Sequence, residues 1–302
     1  MHKNLKKLRE IYDNGGNVLS YVKGESNSDK NSSLAISISY DLQAGSYIKK
    51  AKMNQNFENK RAGLYADVLN TLGKFNTILE VGIGEATTFS NLLPRLSHKD
   101  FIAAGFDISY SRIQYGNLHL HEEGISNAIL FVGDLFDSAL KDNSIDIVYT
   151  NHTLEPNGGR EKEALEELYT ITKRYLVLFE PMHEGSSNET KEHIEKHGYV
   201  TGLASMAELL GYKVIENKLL IKKALRSNNN TGVIIIEKIG NSTIEESKEI
   251  MLACPITHES LSLVRNNYYC KESMLLYPVV DSIPCLMPSN AIIASHFLND
   301  NT

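Results

Sequence analysis

From about residue 75 the chain alternates between two patterns. Short apolar runs, "TILEVGIG", "FIAAGFDIS", "AILFVGDLF", "SIDIVYTNH" and "YLVLFEPM", are separated by "ATTFSNLLPRL", "YSRIQYGNLHLHEEG" and "GREKEALEELYTITK", whose apolar positions fall at helical spacing. Runs that are apolar at nearly every position predict strands buried on both faces, and helices between them make those strands parallel. The expectation is an α/β fold. After "TGLASMAELLGY", the last predicted helix, "KVIENKLLIKKAL" and "GVIIIEKI" flank the turn-rich "RSNNNTG" and predict an antiparallel pair at the sheet edge. Upstream, residues 1–74 read as a polar helical cap. In it "KRAGLYADVLNTLGK" sets Ala62, Leu64, Tyr65, Val68, Leu69 and Leu72 at helical spacing, and "GESNSDKNSS" (Gly24 to Ser33) reads as a loop. A polar linker, "GNSTIEESKEIM", then divides a core over 75–240 from a small α+β module over 241–302.

Composition narrows the class. The 302 residues suffice for one large domain with a small one, or for two, and 42% hydrophobic with 23% charged residues is ordinary for a soluble globular protein. A net charge of −6 without a long basic run argues against nucleic acid as a partner. Three cysteines, Cys254, Cys270 and Cys285, all near one end, do not form a disulfide framework. "MHKNLKKLREIYDN" has basic residues but no apolar stretch behind them, so it does not read as a signal peptide, and no run reaches the ~20 apolar residues of a membrane helix. The expected location is cytoplasmic, with no membrane partner.

The first strand ends in a turn, Glu80-Val81-Gly82-Ile83-Gly84-Glu85. Two glycines one residue apart suit a backbone that must approach a ligand closely. A dinucleotide fingerprint would place a third glycine three residues on, where this chain has Thr87. Glu80 and Glu85 flanking the turn would repel a pyrophosphate and favour a ligand carrying an ammonium and a sulfonium. An NAD-dependent oxidoreductase is disfavoured on both counts.

"LEVGIG" resembles the E/D-x-G-x-G signature of class I S-adenosylmethionine (SAM)-dependent methyltransferases. The resemblance spans roughly residues 75–238 and implies a Rossmann-like seven-stranded sheet with SAM as cofactor. It implies that Glu80, Gly82 and Gly84 form the cofactor turn. Asp107, ending "AAGFDIS", and the adjoining Ile108 would meet the ribose, and a carboxylate suits a vicinal diol. Asp134 in "FVGDLF" would take the adenine amino group beside Leu135, and "SIDIVYTNHTLEP" resembles the fourth-strand motif, which brings Asn151 to the cofactor. A helix-capping role is the structural alternative for Asp107, with Ser109 and Ser111 close by, and for Asp134.

At the reacting end, methyl transfer from a sulfonium rests largely on alignment, and a base is needed only where the acceptor loses a proton. His152, just past the fourth strand, is the candidate, with pocket shaping as its alternative role; Glu155 reads as a loop anchor. The family's amino-methylating members carry N/D-P-P-Y/F where this chain has "TNHT", which disfavours that chemistry. In "SYDLQAGSYIKK", Tyr40, Gln43 and Tyr47 stand at helical spacing, either as a lid over SAM or as an aromatic stripe packed on the core. "KKALR" (Lys222 to Arg226) is a short basic cluster, either a solvated face or a contact for an anionic substrate.

The terminal segment resembles a second family, the small zinc-ribbon-like subunit that activates tRNA and release-factor methyltransferases, through Cys254-Pro255, Cys270 and "YPVVDSIP" (Tyr277 to Pro284). The family pattern begins C-P-x-C, and here Thr257 stands at the second cysteine. Cys254, His258 and Cys270 would supply three ligands, short of a closed zinc site, so no metal is expected. The combined expectation is a methyltransferase acting on oxygen of a small-molecule acceptor, such as a sugar or nucleotide-sugar. A tRNA or protein methyltransferase and an inactive SAM-binding scaffold are the alternatives, and a homodimer is left open.

Overall fold

The computed structural model describes residues 5–26, 31–182, 202–221, 230–240 and 248–298. Five helices come first: α1 (Leu5–Asp13), α2 (Val18–Ser26), α3 (Ser33–Leu42), α4 (Ser46–Met53) and α5 (Gln55–Asn70). Leu8, Val18, Val22 and Ala35 form a small apolar core among the first three. The expected loop at Gly24 begins later than its composition suggests, since Gly24 to Ser26 close α2. The single helical stripe predicted across Tyr40, Gln43 and Tyr47 is broken: Gly45 takes φ +85° and separates α3 from α4. Only glycine adopts that left-handed backbone without cost, so local chemistry overrides the spacing.

The strands follow as expected: β1 (Thr77–Val81), β2 (Ile102–Asp107), β3 (Ala128–Val132), β4 (Ile145–Asn151), β5 (Thr172–Pro181), β6 (Lys213–Ile221) and β7 (Thr231–Glu237), with α6 (Thr87–Leu92), α7 (Tyr110–Glu122), α8 (Glu161–Ile171) and α9 (Leu203–Leu209) between them. They form one seven-stranded sheet in the order β3-β2-β1-β4-β5-β7-β6. The first five are parallel, and β7 runs antiparallel to both β5 and β6. The predicted edge pair is therefore present, although the joining loop and the Lys222–Arg226 cluster lie outside the described residues, apart from Asn230. Every residue of β1 is buried, and successive side chains enter opposite layers. Ile78 packs with α5, α6 and α7 on one face; Leu79 packs with α8 and α9 on the other.

The terminal module is a second sheet, built of β8 (Ser262–Val264), β9 (Asn267–Cys270), β10 (Leu275–Val280), β11 (Ile283–Pro284) and β12 (Ile292–Ile293). Its described residues hold strands and one short 3-10 turn in place of the expected α element. The module meets the large sheet at the open edge of β3. Cys285 bridges Val132 in parallel, and the Leu286 N–H donates to the Val132 carbonyl at 2.8 Å. Leu252 bridges Leu140, and Ala253 N–H donates to Ala139 at 3.0 Å. An exposed edge strand is thereby covered by the chain itself. Cys254, Cys270, Tyr277 and Leu286 share the apolar cluster of the α8 face.

Candidate active site

The carboxyl ends of β1, β2 and β4 open on a cavity of about 540 Å³, roofed by α3, α4 and α5. Its position is the crevice that parallel α/β sheets present beyond their strand ends. Glu80, Gly82, Gly84, Asp107, Ile108, Asp134, Leu135, Asn151 and His152 all line it. Four segments far apart in sequence therefore converge.

The glycine turn is tight. Gly82 has φ +68° and Gly84 φ +58°. A Cβ on Gly82 would lie 2.3 Å from the Thr153 side chain. Thr153 itself is tied to the first strand, its hydroxyl donating to the Val81 carbonyl at 2.8 Å. The turn thus needs glycine both for its backbone and for the approach of the loop after β4.

Glu80 is buried at the floor of the turn and accepts a 2.7 Å hydrogen bond from Tyr149 on the neighbouring strand. Burial pushes its carboxyl up to about 8, with Tyr149, Arg61 and Asn151 offsetting part of the shift. A cationic group entering the cavity would favour its ionised form. Glu85 does not share that role. Its carboxylate accepts the N–H groups of Gly45 at 3.0 Å, Tyr47 at 3.3 Å and Ile48 at 2.8 Å. It caps α4, supplying the acceptor that Gly45 cannot, and an anion suits a helix N-terminus. The expectation that both acids of the turn face a cationic ligand is corrected to Glu80 alone.

Asp107 serves two ends at once. Oδ2 accepts from the Gly84 N–H at 3.0 Å and Oδ1 from the Ser109 N–H at 2.9 Å, which locks the second strand end against the turn. Ser109 caps α7 through the Arg112 N–H. Asp134 uses Oδ1 to close a turn on the Phe136 N–H at 3.0 Å. Asn151 accepts from Tyr65 at 3.0 Å and donates to Thr88 at 3.0 Å, so both ends of its amide are engaged by the protein.

The reacting end is assembled from three elements. His152 has φ +54°, an uncommon backbone for a non-glycine residue. Its Nδ1 lies 3.0 Å from Glu155 Oε2 and its Nε2 lies 2.8 Å from the Thr231 hydroxyl at the start of β7. A carboxylate on Nδ1 fixes the proton there, which leaves Nε2 as the acceptor. Beneath it Glu180, at the end of β5, accepts the Thr153 and Leu154 N–H groups. Burial raises the Glu180 carboxyl to about 7, with nearby His152 pulling the other way.

Sequence reasoning missed Thr231, which an antiparallel strand brings to the cavity from 79 residues away. It missed the orienting contact of Glu155, whose i+3 spacing from His152 was the available signal. It also missed Arg112, which is buried with its guanidinium 4.5 Å from the Tyr40 ring centre and 4.2 Å from that of Tyr47. Both tyrosines line the cavity.

Among the described residues, no helix is long and apolar enough to cross a membrane, and no group of three or more His, Cys, Asp or Glu could hold a metal ion. No curated protein matches the chain. Among solved structures, a SAM-dependent methyltransferase from Aquifex aeolicus is 19% identical over 63% of this chain and 97% of its own, with TM-score 0.45. The magnesium protoporphyrin IX methyltransferase ChlM from Synechocystis PCC 6803, solved with bound SAH, is 12% identical over 60% of this chain and 82% of its own, with TM-score 0.47. Residues 78–174 match the family model Methyltransf_25, described as a methyltransferase domain. That stretch runs from β1 into β5 and contains the glycine turn, both strand-end aspartates and His152. The chain is an enzyme that carries a methyltransferase domain over these residues.

Proposed function

We propose that the enzyme methylates a hydroxyl oxygen of a small, polar metabolite, a sugar being the leading class, with His152 as the general base. The observation that carries this reading is the state of the imidazole. Nδ1 is held by Glu155, and Nε2 already faces a hydroxyl, that of Thr231, at 2.8 Å. An acceptor hydroxyl in place of the Thr231 contact would meet the same nitrogen.

Glu80, Gly82, Gly84, Asp107, Ile108, Asp134 and Leu135 would hold SAM, with Asn151 fixing the Thr88 and Tyr65 side chains around it. The fit rests on a turn with two left-handed glycines and a buried carboxylate that a cation would ionise. Bound there, SAM supplies an electrophilic methyl group on a good leaving group. The helices of the cap enclose the acceptor and exclude water. His152 Nε2 takes the acceptor's proton as its oxygen forms the new C–O bond, and Glu155 stabilises the resulting imidazolium.

We read residues 1–74 as the cap, 75–240 as the catalytic core and 241–302 as a module that serves the core in cis by covering β3. A cytoplasmic setting suits this reading, and the assembly state follows from solution sizing. The deciding experiment incubates the protein with methyl-labelled SAM and a fractionated cell extract. Label entering small neutral molecules, and lost in His152→Ala, supports the reading; label entering RNA or protein overturns it.

A further inference from the structure

The terminal module carries two turns of the same design. In the first, Cys254 and Thr257 are three residues apart, and the next residue, His258, has φ +58°. In the second, Cys270 and Ser273 are three residues apart, and the next residue, Met274, also has φ +58°. Each turn thus pairs one thiol with one hydroxyl and ends in a left-handed residue. The spacing is that of a C-x2-C knuckle with its second cysteine replaced. His258, counted from sequence as a ligand, lies outside this set: it is exposed, and its carbonyl accepts from Lys141 at 2.9 Å.

The two turns face each other crosswise. Cys254 Sγ lies 3.9 Å from the Ser273 hydroxyl, and Cys270 Sγ lies 3.8 Å from the Thr257 hydroxyl. A tetrahedral zinc site with Zn–S bonds of ~2.3 Å has ligand–ligand edges of about 3.8 Å. The two edges that run between the turns match that length. Cys254 also receives N–H groups from Ile256 and Thr257 and lies 3.2 Å from the Tyr277 hydroxyl.

We propose that Cys254, Thr257, Cys270 and Ser273 are the four corners of a zinc-ribbon site that has lost two ligands, closed now by thiol–hydroxyl contacts instead of metal. Two thiols supply half of what a closed structural zinc needs. The scaffold around them keeps the two edges between the turns at the zinc spacing, which places the site two substitutions from metal binding. Ser273 is isosteric with cysteine and Thr257 adds one methyl group, and both turns are kept.

The test uses the full chain, with zinc as the probe. Wild-type protein purified from zinc-supplemented medium is expected to carry well under one zinc per chain, with a melting temperature that a chelator does not change. The double variant T257C/S273C is expected to carry about one zinc per chain, and its Co²⁺ form to show the intense charge-transfer and visible bands of tetrahedral thiolate coordination. A folded double variant with no more zinc than wild type overturns the proposal, as does a wild-type protein that retains one zinc. Should the double variant fold only when zinc is present, that dependence supports the proposal. Should it fold under neither condition, S273C, with three thiols, decides: Co²⁺ thiolate bands supporting, their absence overturning.

Discussion

The two walls of the cavity are built on different principles. The wall we assign to the cofactor comes from consecutive strand ends, Glu80 to Gly84, Asp107 and Asp134, and its key contacts are made by backbone at a fixed turn. The wall we assign to the acceptor is gathered from Phe57 on α5, His152 and Glu155 after β4, Ile221 on the edge strand β6 and Thr231 on its neighbour β7. The first wall is a consequence of the βαβ connectivity and follows wherever that connectivity is used. The second depends on side chains from elements that the fold positions but does not specify. A cofactor is therefore readable where an acceptor is only bounded in class.

The comparison breaks most sharply at Gly82. A side chain there must overlap Thr153, 2.3 Å from the added Cβ, on a backbone of φ +68°. Wild type is expected to bind SAM and its demethylated product and not NAD, and Gly82→Val is expected to abolish both calorimetric signals. Circular dichroism should show the sheet retained. A folded variant with unchanged affinity would move the cofactor to another place. Gly84 is more permissive, since its nearest obstacle is the Arg112 guanidinium at 3.3 Å, so the same substitution there should cost less.

On the acceptor wall the largest effect falls on His152. His152→Ala is expected to lower turnover on a hydroxyl acceptor about 10²- to 10⁴-fold, the range of general acid–base groups, with SAM affinity nearly intact. The loss should shrink at high pH, where the acceptor ionises unaided. Glu155→Gln should cost less, on the order of tenfold to 10²-fold, because it weakens the orientation of the imidazole and leaves the base in place. Rate measurements across pH separate the two. A small, pH-independent loss in both variants would leave this wall with a shape and no base.

The sequence makes the first wall legible because its pattern is local. The continuous apolar runs foretell all five parallel strands, and the turn after β1 names its ligand by two glycines and one acid. Glu85 misled because a carboxylate beside a turn reads as ligand contact, whereas its partners, the N–H groups of Gly45, Tyr47 and Ile48, lie about 40 residues upstream in a helix whose start no local signal marked. Thr231 was silent for the same reason. Its role exists only once β7 inserts between β5 and β6, a pairing that sets Pro181 opposite it. At Cys254 the replaced corner, Thr257, was legible in the sequence against the C-P-x-C pattern, whereas Ser273, three residues after Cys270, carries no metal signature and was visible only through the matching turn.

The module offers a smaller test of how far the walls depend on support from outside. Its attachment runs through Val132, Ala139 and Leu140, on either side of the Asp134–Leu135 stretch of the cofactor wall. Ending the chain near Gly240 uncovers the β3 edge and the apolar cluster that Tyr277 and Leu286 complete. The shortened protein is expected to melt several degrees lower or to lose solubility, and to weaken SAM binding more than it weakens the His152 contacts. Thermal unfolding of the two lengths checks this, and equal melting temperatures would show that the cofactor wall stands alone.

The finest distinction between the walls is electrostatic. Each holds one carboxyl that burial pushes far up, Glu80 beside the glycine turn to about 8 and Glu180 beneath His152 to about 7, and burial raises Asp107 in the first wall as well. Both glutamates titrate in the mid-fours when solvated. Between those values the folded protein keeps protons that the unfolded chain has released, so stability falls as pH rises through the interval. The stabilising contribution is fully present below the ordinary carboxyl value and is lost by pH 8. The ligand-free enzyme should therefore melt at progressively lower temperature from about pH 5 to pH 8. Glu180→Gln should flatten the slope up to about pH 7, and Glu80→Gln should flatten it over the whole interval. Adding SAM should diminish the Glu80 part alone, since a cation at that wall makes the ionised carboxylate favourable. A melting temperature that is level or rising from pH 5 to pH 8 in the wild type would mean that neither carboxyl is held neutral in the fold.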